Sequence, residues 1–299
     1  MSSELMKLSI LTPSFNSAAY IERAIQSVLA QNDPDFEHII VDGGSTDGTV
    51  AILKRYPHLN WSSEPDEGQS DAMNKAFARS SGDIIAYLNA DDWFESGIFA
   101  HVRDCFAREP AADMVIGNFY SRDAGNTAVR LVVPVKDYRS TLLFFRHTWL
   151  LNPVCYFCRR ALQEAVGEFP LEEHNAMDYW FLVRAMSKAR IHRTDLVFGT
   201  YFFPPESKTS RISGVADRRR MLRRSCELVR QHLHEDNPQL LVWWTAHWWW
   251  HNYVRQFPER LKAPFRYLAY KALFGSQIDY NEFKSLGFRK CWRRKFSNS

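Results

Sequence analysis

Gly82-Asp83-Ile84-Ile85-Ala86-Tyr87-Leu88-Asn89-Ala90-Asp91-Asp92-Trp93-Phe94 is the stretch that decides how this chain is read. A helix-stopping glycine precedes a short apolar run, and the run breaks into polar residues at Asn89. That is the pattern of a buried strand whose end carries an acidic pair. Two adjacent carboxylates, with Asn89 just upstream, can hold a divalent cation through oxygen ligands and leave positions open for a phosphorylated ligand. The same pair could also start a loop or cap a helix. The surrounding sequence has to choose.

Working outward, Leu8, Ile10 and Leu11 form a first strand ending at Thr12-Pro13-Ser14-Phe15-Asn16-Ser17, after which Ile21, Ala24, Ile25, Val28 and Leu29 recur at helical spacing. Glu37 to Val41 reads as a second strand, and Asp42-Gly43-Gly44-Ser45-Thr46-Asp47-Gly48 as a flexible turn before a helix from Thr49 to Arg55. Leu59 to Ser62 gives a third strand, Glu64 to Gly68 a loop, and Gln69 to Arg79 a helix with Ala72, Met73, Ala76 and Phe77 inward. Strands alternating with helices imply an α/β fold with a mostly parallel, Rossmann-like central sheet. In such sheets ligands bind beyond the carboxyl ends of the strands. The loops Pro13 to Asn16, Asp42 to Gly44, Glu64 to Asp71 (with Gly68) and Asn89 to Asp92 therefore converge on one crevice, and they carry more polar and acidic material than connection alone needs.

Composition removes several alternatives. The 299 residues are 45% hydrophobic and 24% charged, an ordinary globular balance. Five scattered cysteines and the absence of a signal-peptide pattern in Met1 to Ile10 point to a reducing interior rather than a disulfide framework. Cys155 and Cys158 have redox-motif spacing, but they sit in an apolar strand-like run with no second pair to complete a zinc site. No apolar run is long enough to span a bilayer. A dinucleotide-binding turn is also excluded, because Pro13 and Phe15 occupy the place of its glycines and Gly43, Gly44 and Gly48 follow the second strand at the wrong spacing.

Ser9 to Asn16 with Tyr20, Ile39 to Thr49, Glu64 to Ala76 and Tyr87 to Asp92 together resemble the nucleotide-sugar-binding half of family 2 glycosyltransferases, which have the GT-A fold. The resemblance continues through Asn152 to Arg160, Val166-Gly167 and Met177 to Arg184, so it runs from Leu8 to Arg211 in one consistent order. It implies that Pro13, Ser14, Phe15, Asn16 and Asp42 hold the nucleobase of a nucleotide-diphosphate sugar, with Gly68, Asp71 and Asn89 lining the donor site. A carboxylate can accept an N–H of uracil or of guanine, so UDP is a default for the donor. Asp91 and Asp92 match the family's Asp-x-Asp region, where Asp91 contacts the donor and both hold manganese or magnesium on its diphosphate. Asn89 stands where many relatives have the first acid.

By the same resemblance Asp178 is the general base that takes the proton from an acceptor hydroxyl, although Met177 precedes it where relatives usually have glutamate. A single carboxylate base acting against a metal-bound leaving group implies direct displacement with inversion. No Gln-x-x-Arg-Trp signature follows, so the resemblance implies a non-processive hexosyltransferase that adds one sugar per encounter to a glycan or lipid-linked acceptor in cell-surface polysaccharide synthesis. Lys208 or Arg211 would lie over the diphosphate.

The expected organisation is a GT-A catalytic domain over residues 1–213, with a nucleotide-sugar half at 1–118 and an acceptor half at 119–213, followed by a helical, Arg/Trp-rich region at 214–299. Arg218, Arg219, Arg220, Arg223, Arg224 and Arg230 make a basic helix, and Trp243, Trp244, Trp248, Trp249 and Trp250 crowd one later segment. Such a region suits an anionic membrane surface on its cytoplasmic face, or helical packing. His247 and His251 lie one helical turn apart without a third metal ligand. Nucleic acid is not an expected partner, since an acidic nucleotide-sugar crevice argues against it. A non-catalytic nucleotide-sugar binder, or a surface-binding module led by the C-terminal region, are the competing readings.

Overall fold

The computed structural model describes residues 6–124, 129–134, 138–143, 152–173, 176–205, 215–249 and Tyr267. The chain divides into two units, Met1–Thr141 with Trp149–Leu228, and Leu142–Thr148 with Val229–Ser299.

The first unit is an α/β layer structure on one sheet ordered β3-β2-β1-β4-β8-β6-β9-β5, with β7 paired to β6. Its first half follows the sequence pattern closely. Strands β1 (Leu8–Ser14), β2 (Phe36–Asp42), β3 (Leu59–Ser63) and β4 (Ile84–Tyr87) alternate with helices α1 (Ile21–Leu29), α2 (Thr49–Leu53) and α3 (Gln69–Arg79). These strands pair in parallel, Leu8 opposite Phe36 and Ile84, and His38 opposite Leu59. All of β1 and β4 is buried, because helices cover both faces of a parallel sheet. Leu8, Ile10, Ile39, Val41, Met73 and Ala76 fill one core, while Ile21, Ile25, Ile40 and Leu53 fill a smaller one.

Beyond β4 the sheet becomes mixed. After β5 (Trp93–Phe94), α4 (Ile98–Arg108), β6 (Met114–Asp123), β7 (Val129–Val132) and α5 (Tyr138–Leu142), strand β8 (Tyr156–Arg159) returns antiparallel to β4. Cys155 and Cys158 are fully buried there and burial pushes both thiols up to about 12, so they are inert packing groups. Helices α6 (Arg160–Val166) and α7 (Met177–Lys188) follow, then the long β9 (Ile191–Phe203), parallel to β6 and antiparallel to β5. β9 thus reaches β5 and the turn that follows β4, and this contact decides where the acidic pair lies.

Helix α8 (Val215–Asp236) carries the basic run and α9 (Pro238–Trp249) the tryptophans. Within the second unit the Trp244 indole donates to the Leu142 carbonyl at 2.9 Å, and Trp244 stacks near Trp248 at 6.5 Å. His247 Nδ1 lies 2.9 Å from the Trp243 carbonyl, a local helix contact. Trp250, His251 and the basic tail lie outside the described residues. Among the described residues no helix is long and apolar enough to cross a membrane.

Candidate active site

The loops after β1 and β2 are knitted together by the polar residues of the sequence motif. Asp42, at the end of β2, is fully buried. Its Oδ1 accepts from the Ser14 hydroxyl at 3.1 Å and the Ser45 hydroxyl at 2.5 Å, and its Oδ2 from the Ser63 hydroxyl at 2.6 Å and the Ser45 amide at 2.9 Å. Four donors satisfy the roughly four lone-pair sites of one carboxylate. Asn16 adopts a left-handed backbone at φ 47°, its amide donates to Ser45 Oγ at 2.7 Å and its Oδ1 accepts from the Thr46 amide at 2.9 Å. Asp47 accepts from the Ala18 amide at 2.9 Å, closing the same pair of loops from the other side. Pro13 pairs with Val41 past the last residue matched to β4, where a missing N–H leaves no gap in the ladder. Phe15 stands 63% exposed at the mouth.

Gly68 precedes α3 with φ 109° and ψ −171°, a conformation reserved for glycine. Its amide donates to Asp66 Oδ1 at 2.9 Å, and Asp66 presses on Gly43 so closely that a Cβ there would lie 2.8 Å from Asp66 Oδ2. Asp66, half-buried, is pushed up by burial and by the neighbouring Asp71 and Asp42 charges, despite that amide and Lys75. Asp71 itself accepts from the Glu67 amide at 3.0 Å and pairs with Lys75 at 2.8 Å one turn on. It therefore organises the loop before α3.

The acidic pair sits in the turn between β4 and β5. Asp92 is fully buried, its Oδ1 accepting from the Phe202 amide of β9 at 2.9 Å and its Oδ2 from the Asn89 side chain at 3.0 Å, with a further side-chain hydrogen bond from Asn152. Burial and then the charge of Asp91 drive its carboxyl well above the usual range. Asp91 is half-buried, and desolvation raises it to about 6 against the opposing pull of its own amide and Arg23. Arg23 of α1 braces the turn: its guanidinium lies 3.5 Å over the Trp93 ring and 4.7 Å from the Phe202 ring, and Nη2 donates to the Asp91 carbonyl at 3.2 Å. Among the described residues no group of three His, Cys, Asp or Glu side chains converges on a metal position.

Asp178 lies in the first turn of α7, half-buried, and its charge reaches the buried Tyr156 of β8. Helix α3 links it to the acidic turn. The Gln69 amide donates to Asn89 Oδ1 at 3.1 Å, and the next residue, Ser70, places its hydroxyl 3.1 Å from the sulfur of Met177. Lys208 and Arg211 lie outside the described residues.

The family model described as Glycosyl transferase family 2 matches residues 9–167. The chain belongs to glycosyltransferase family 2. It is 29% identical over 179 residues to an uncharacterised glycosyltransferase of Nostoc sp., a match covering 56% of this chain and 54% of that protein, so it spans about half the length of that relative. It is 31% identical over 188 residues to a PGL/p-HBAD biosynthesis glycosyltransferase of Mycobacterium bovis, covering 60% of this chain and 69% of the other. Among solved structures, Staphylococcus aureus TarS 1-349 in complex with UDP-GlcNAc superposes with a TM-score of 0.63 at 21% identity, over 90% of this chain and 82% of that one. The mannosyltransferase PcManGT of Pyrobaculum calidifontis, in complex with GDP-Man and Mn2+, superposes at 0.50 with 16% identity, over 92% and 89%. These structural likenesses show a GT-A fold.

Within the family 2 architecture, some of the residues that hold the candidate site in shape are not among those that sequence reading singles out. Arg23 looks like one charge on the outer face of α1, and Phe202 like an ordinary strand residue. Asn152 stands before a proline and carries a signal only through the family resemblance. Each is identified by a contact spanning more of the chain than any local pattern can.

Proposed function

We propose that this chain moves one sugar from a nucleotide-diphosphate sugar, UDP being the default nucleotide, to a hydroxyl of a glycan or lipid-linked acceptor by a single inverting displacement. One arrangement supports the reading: α3 touches Asn89, before the acidic turn, through Gln69 and the start of α7 through Ser70, and on this ground we assign Asp91, Asp92 and Asp178 to one crevice. The exposed Phe15 ring offers a stacking face to the base, beside Ser14, Asn16 and Asp42. Because Asp42 is already met by four chain donors, it reads a base N–H by releasing the Ser45 or Ser63 hydroxyl, each of which can rotate away. Asp178 accepts the proton of the attacking hydroxyl from its place in the first turn of α7.

The chemistry of the acidic turn fits a hard divalent cation. Burial raises both carboxyls, and the charge of Asp91 raises Asp92 further; a cation would be held by Asp91, with Asp92 fixing the turn or sharing the ligation, and its charge would offset that penalty. When bound, manganese or magnesium supplies neutralisation of the charge developing on the leaving nucleoside diphosphate. The UDP-GlcNAc of the TarS complex and the GDP-Man and Mn2+ of the mannosyltransferase complex support a donor and a cation of this class. The mycobacterial relative is named for PGL/p-HBAD biosynthesis, which supports a biosynthetic role that we extend to a cell-surface product. We place the work at the cytoplasmic face of a membrane, with 1–118 holding donor, 119–213 acceptor, and 214–299 the surface, where Arg220, Arg223, Arg230 and Trp249 are exposed.

The test is to incubate the protein with UDP- and GDP-sugars, with and without manganese, and to measure nucleoside diphosphate release and calorimetric binding. Metal-dependent binding and release with at least one donor are expected. Binding that ignores the metal, or none to any donor, would overturn the mechanism.

A further inference from the structure

Asp178 stands in the first turn of α7, and α3 holds residues of the chain that precedes it. Asn74, one helical turn after Ser70 on α3, clamps the backbone of Phe169 with both ends of its side-chain amide. Its Nδ2 donates to the Phe169 carbonyl at 2.8 Å, and the Phe169 amide donates to its Oδ1 at 2.8 Å. The Phe169 ring then wedges between the two halves of the site. It meets Tyr87 of β4 edge-on at 5.3 Å, Phe181 of α7 at 5.3 Å and Trp180 at 6.4 Å, and Phe181 stacks on Tyr156 at 6.1 Å.

Further along the same segment, the buried Ser70 hydroxyl lies 3.4 Å from the Glu173 carbonyl and 3.1 Å from Met177 Sδ. The Glu173 side chain, itself nearly inaccessible, pairs with Arg224 of α8 at 2.6 Å. One face of α3 thus grips the chain at Phe169, Glu173 and Met177, the last being the residue before Asp178. The other side of the same first turn carries Gln69, whose amide reaches Asn89 and through it Asp92.

We infer that Asn74, assisted by Ser70, is a positioning residue for transfer: it fixes Asp178 relative to the acidic turn through Phe169 and α7, without touching donor or acceptor. The inference rests on the proposed role of Asp178 as base. A displacement of about 1 Å at a reacting group is enough to cost on the order of 100-fold in rate. A two-bond clamp acting through a packed aromatic ring is a device of the stiffness this requires, because a close-packed interior transmits a shift rather than absorbing it.

The experiment is a double-mutant cycle on the full chain with manganese, using whichever UDP- or GDP-sugar gives the fastest nucleoside diphosphate release. Asn74→Ala removes both hydrogen bonds, and Asn74→Asp keeps the acceptor while setting a carboxylate oxygen against the Phe169 carbonyl. Both are expected to lower kcat about 10- to 100-fold while the calorimetric donor Kd stays within about threefold. In the Asp178→Asn background the Asn74 substitutions should produce no further loss of kcat. Should they prove too unstable to purify, Ser70→Ala carries the same test with a smaller expected loss. Hydrogen exchange should rise in peptides from 167–173 and stay unchanged in 84–94.

If Asp178→Asn cuts turnover to a small but measurable rate while the Asn74 variants keep full kcat, or lower it by the same factor in both backgrounds, the positioning role is wrong and the base stands. If Asp178→Asn itself keeps turnover, or the unsubstituted chain turns over no donor, the base reading fails and the positioning role with it.

Discussion

Asp42 and Asp91 show two opposite ways in which this fold treats a carboxylate. Asp42 is surrounded by serine hydroxyls and an amide, so its charge is solvated by the chain itself. Asp42→Asn would turn one acceptor edge into a donor facing those hydroxyls and the Ser45 amide, and leaving a buried amide unpaired costs about 1–3 kcal/mol. A fall of denaturation midpoint at unchanged m-value is the expected result; an unchanged midpoint would show that the serines re-pair without it. Asp91 lies at the other extreme, raised from 3.8 to about 6 chiefly by desolvation. Its folded form holds a proton more tightly than the unfolded chain, so stability falls as pH rises from about 4 to 6 and is flat above. Asp91→Asn abolishes that slope: without added metal, the variant should gain on the parent chain between pH 4 and 6 and keep a constant advantage above. Parallel melting curves across this range would contradict the assignment. Such distinctions were not legible in the sequence, where both residues are acids at strand ends and only the partners, contributed by β3 for Asp42 and α1 for Asp91 among others, separate them.

At the scale of elements, β9 is what makes the acidic turn a site. Trp93 pairs with Thr200 and Phe94 with Gly199, and the Phe202 amide then meets Asp92. Gly199 has no room for a side chain: an added Cβ would collide with the Trp93 carbonyl and Val154 Cγ2. Gly199→Ala should therefore push β5 off β9, lower stability by roughly 1–3 kcal/mol as overpacking does, and weaken donor binding through the turn it carries. Lower stability with unchanged donor affinity would mean that β5 tolerates the shift without moving Asp91 and Asp92. The first four strands were legible because period-2 and period-3.6 patterns are local and their loops carry turn residues. The Leu196–Phe203 part of β9 was legible as a β run, but the two-residue β5 and the pairing of β9 with β5 and β6 were not, since a very short strand takes its geometry, and a longer one its partners, from distant residues.

For the molecule as a whole, the parallel half of the sheet sets the response to acid. His38 is buried with its Nε2 3.0 Å from the Thr12 hydroxyl, and desolvation, then the nearby His58, depress it from 6.5 to about 3. The unfolded chain takes up a proton there that the folded chain refuses, so stability is lost as pH falls from about 6.5 towards 3. Glu37, against its own desolvation, is drawn from 4.5 to about 2 by Ser9, Ser81 and Lys7, and its contribution is lost between those values as pH falls. Acid unfolding should be followed by circular dichroism in the parent chain and in His38→Gln. The variant should start less stable at pH 7.5 and lose less between pH 6.5 and 4. An identical acid limb would remove His38 from the account.

The sequence by itself determined the parallel β1–β4 half, the helices between its strands and membership of the family, because these rest on local periodicity and on motifs in consecutive order. Only the tertiary structure decided that Asp92 is an interior anchor while Asp91 is partly open, that Asp42 is already fully hydrogen-bonded, and that one face of α3 grips the segment leading to Asp178. The reason is physical. A carboxylate's burial and hydrogen-bond partners come from whatever strands and helices close over it, and here those partners lie up to 110 residues away along the chain.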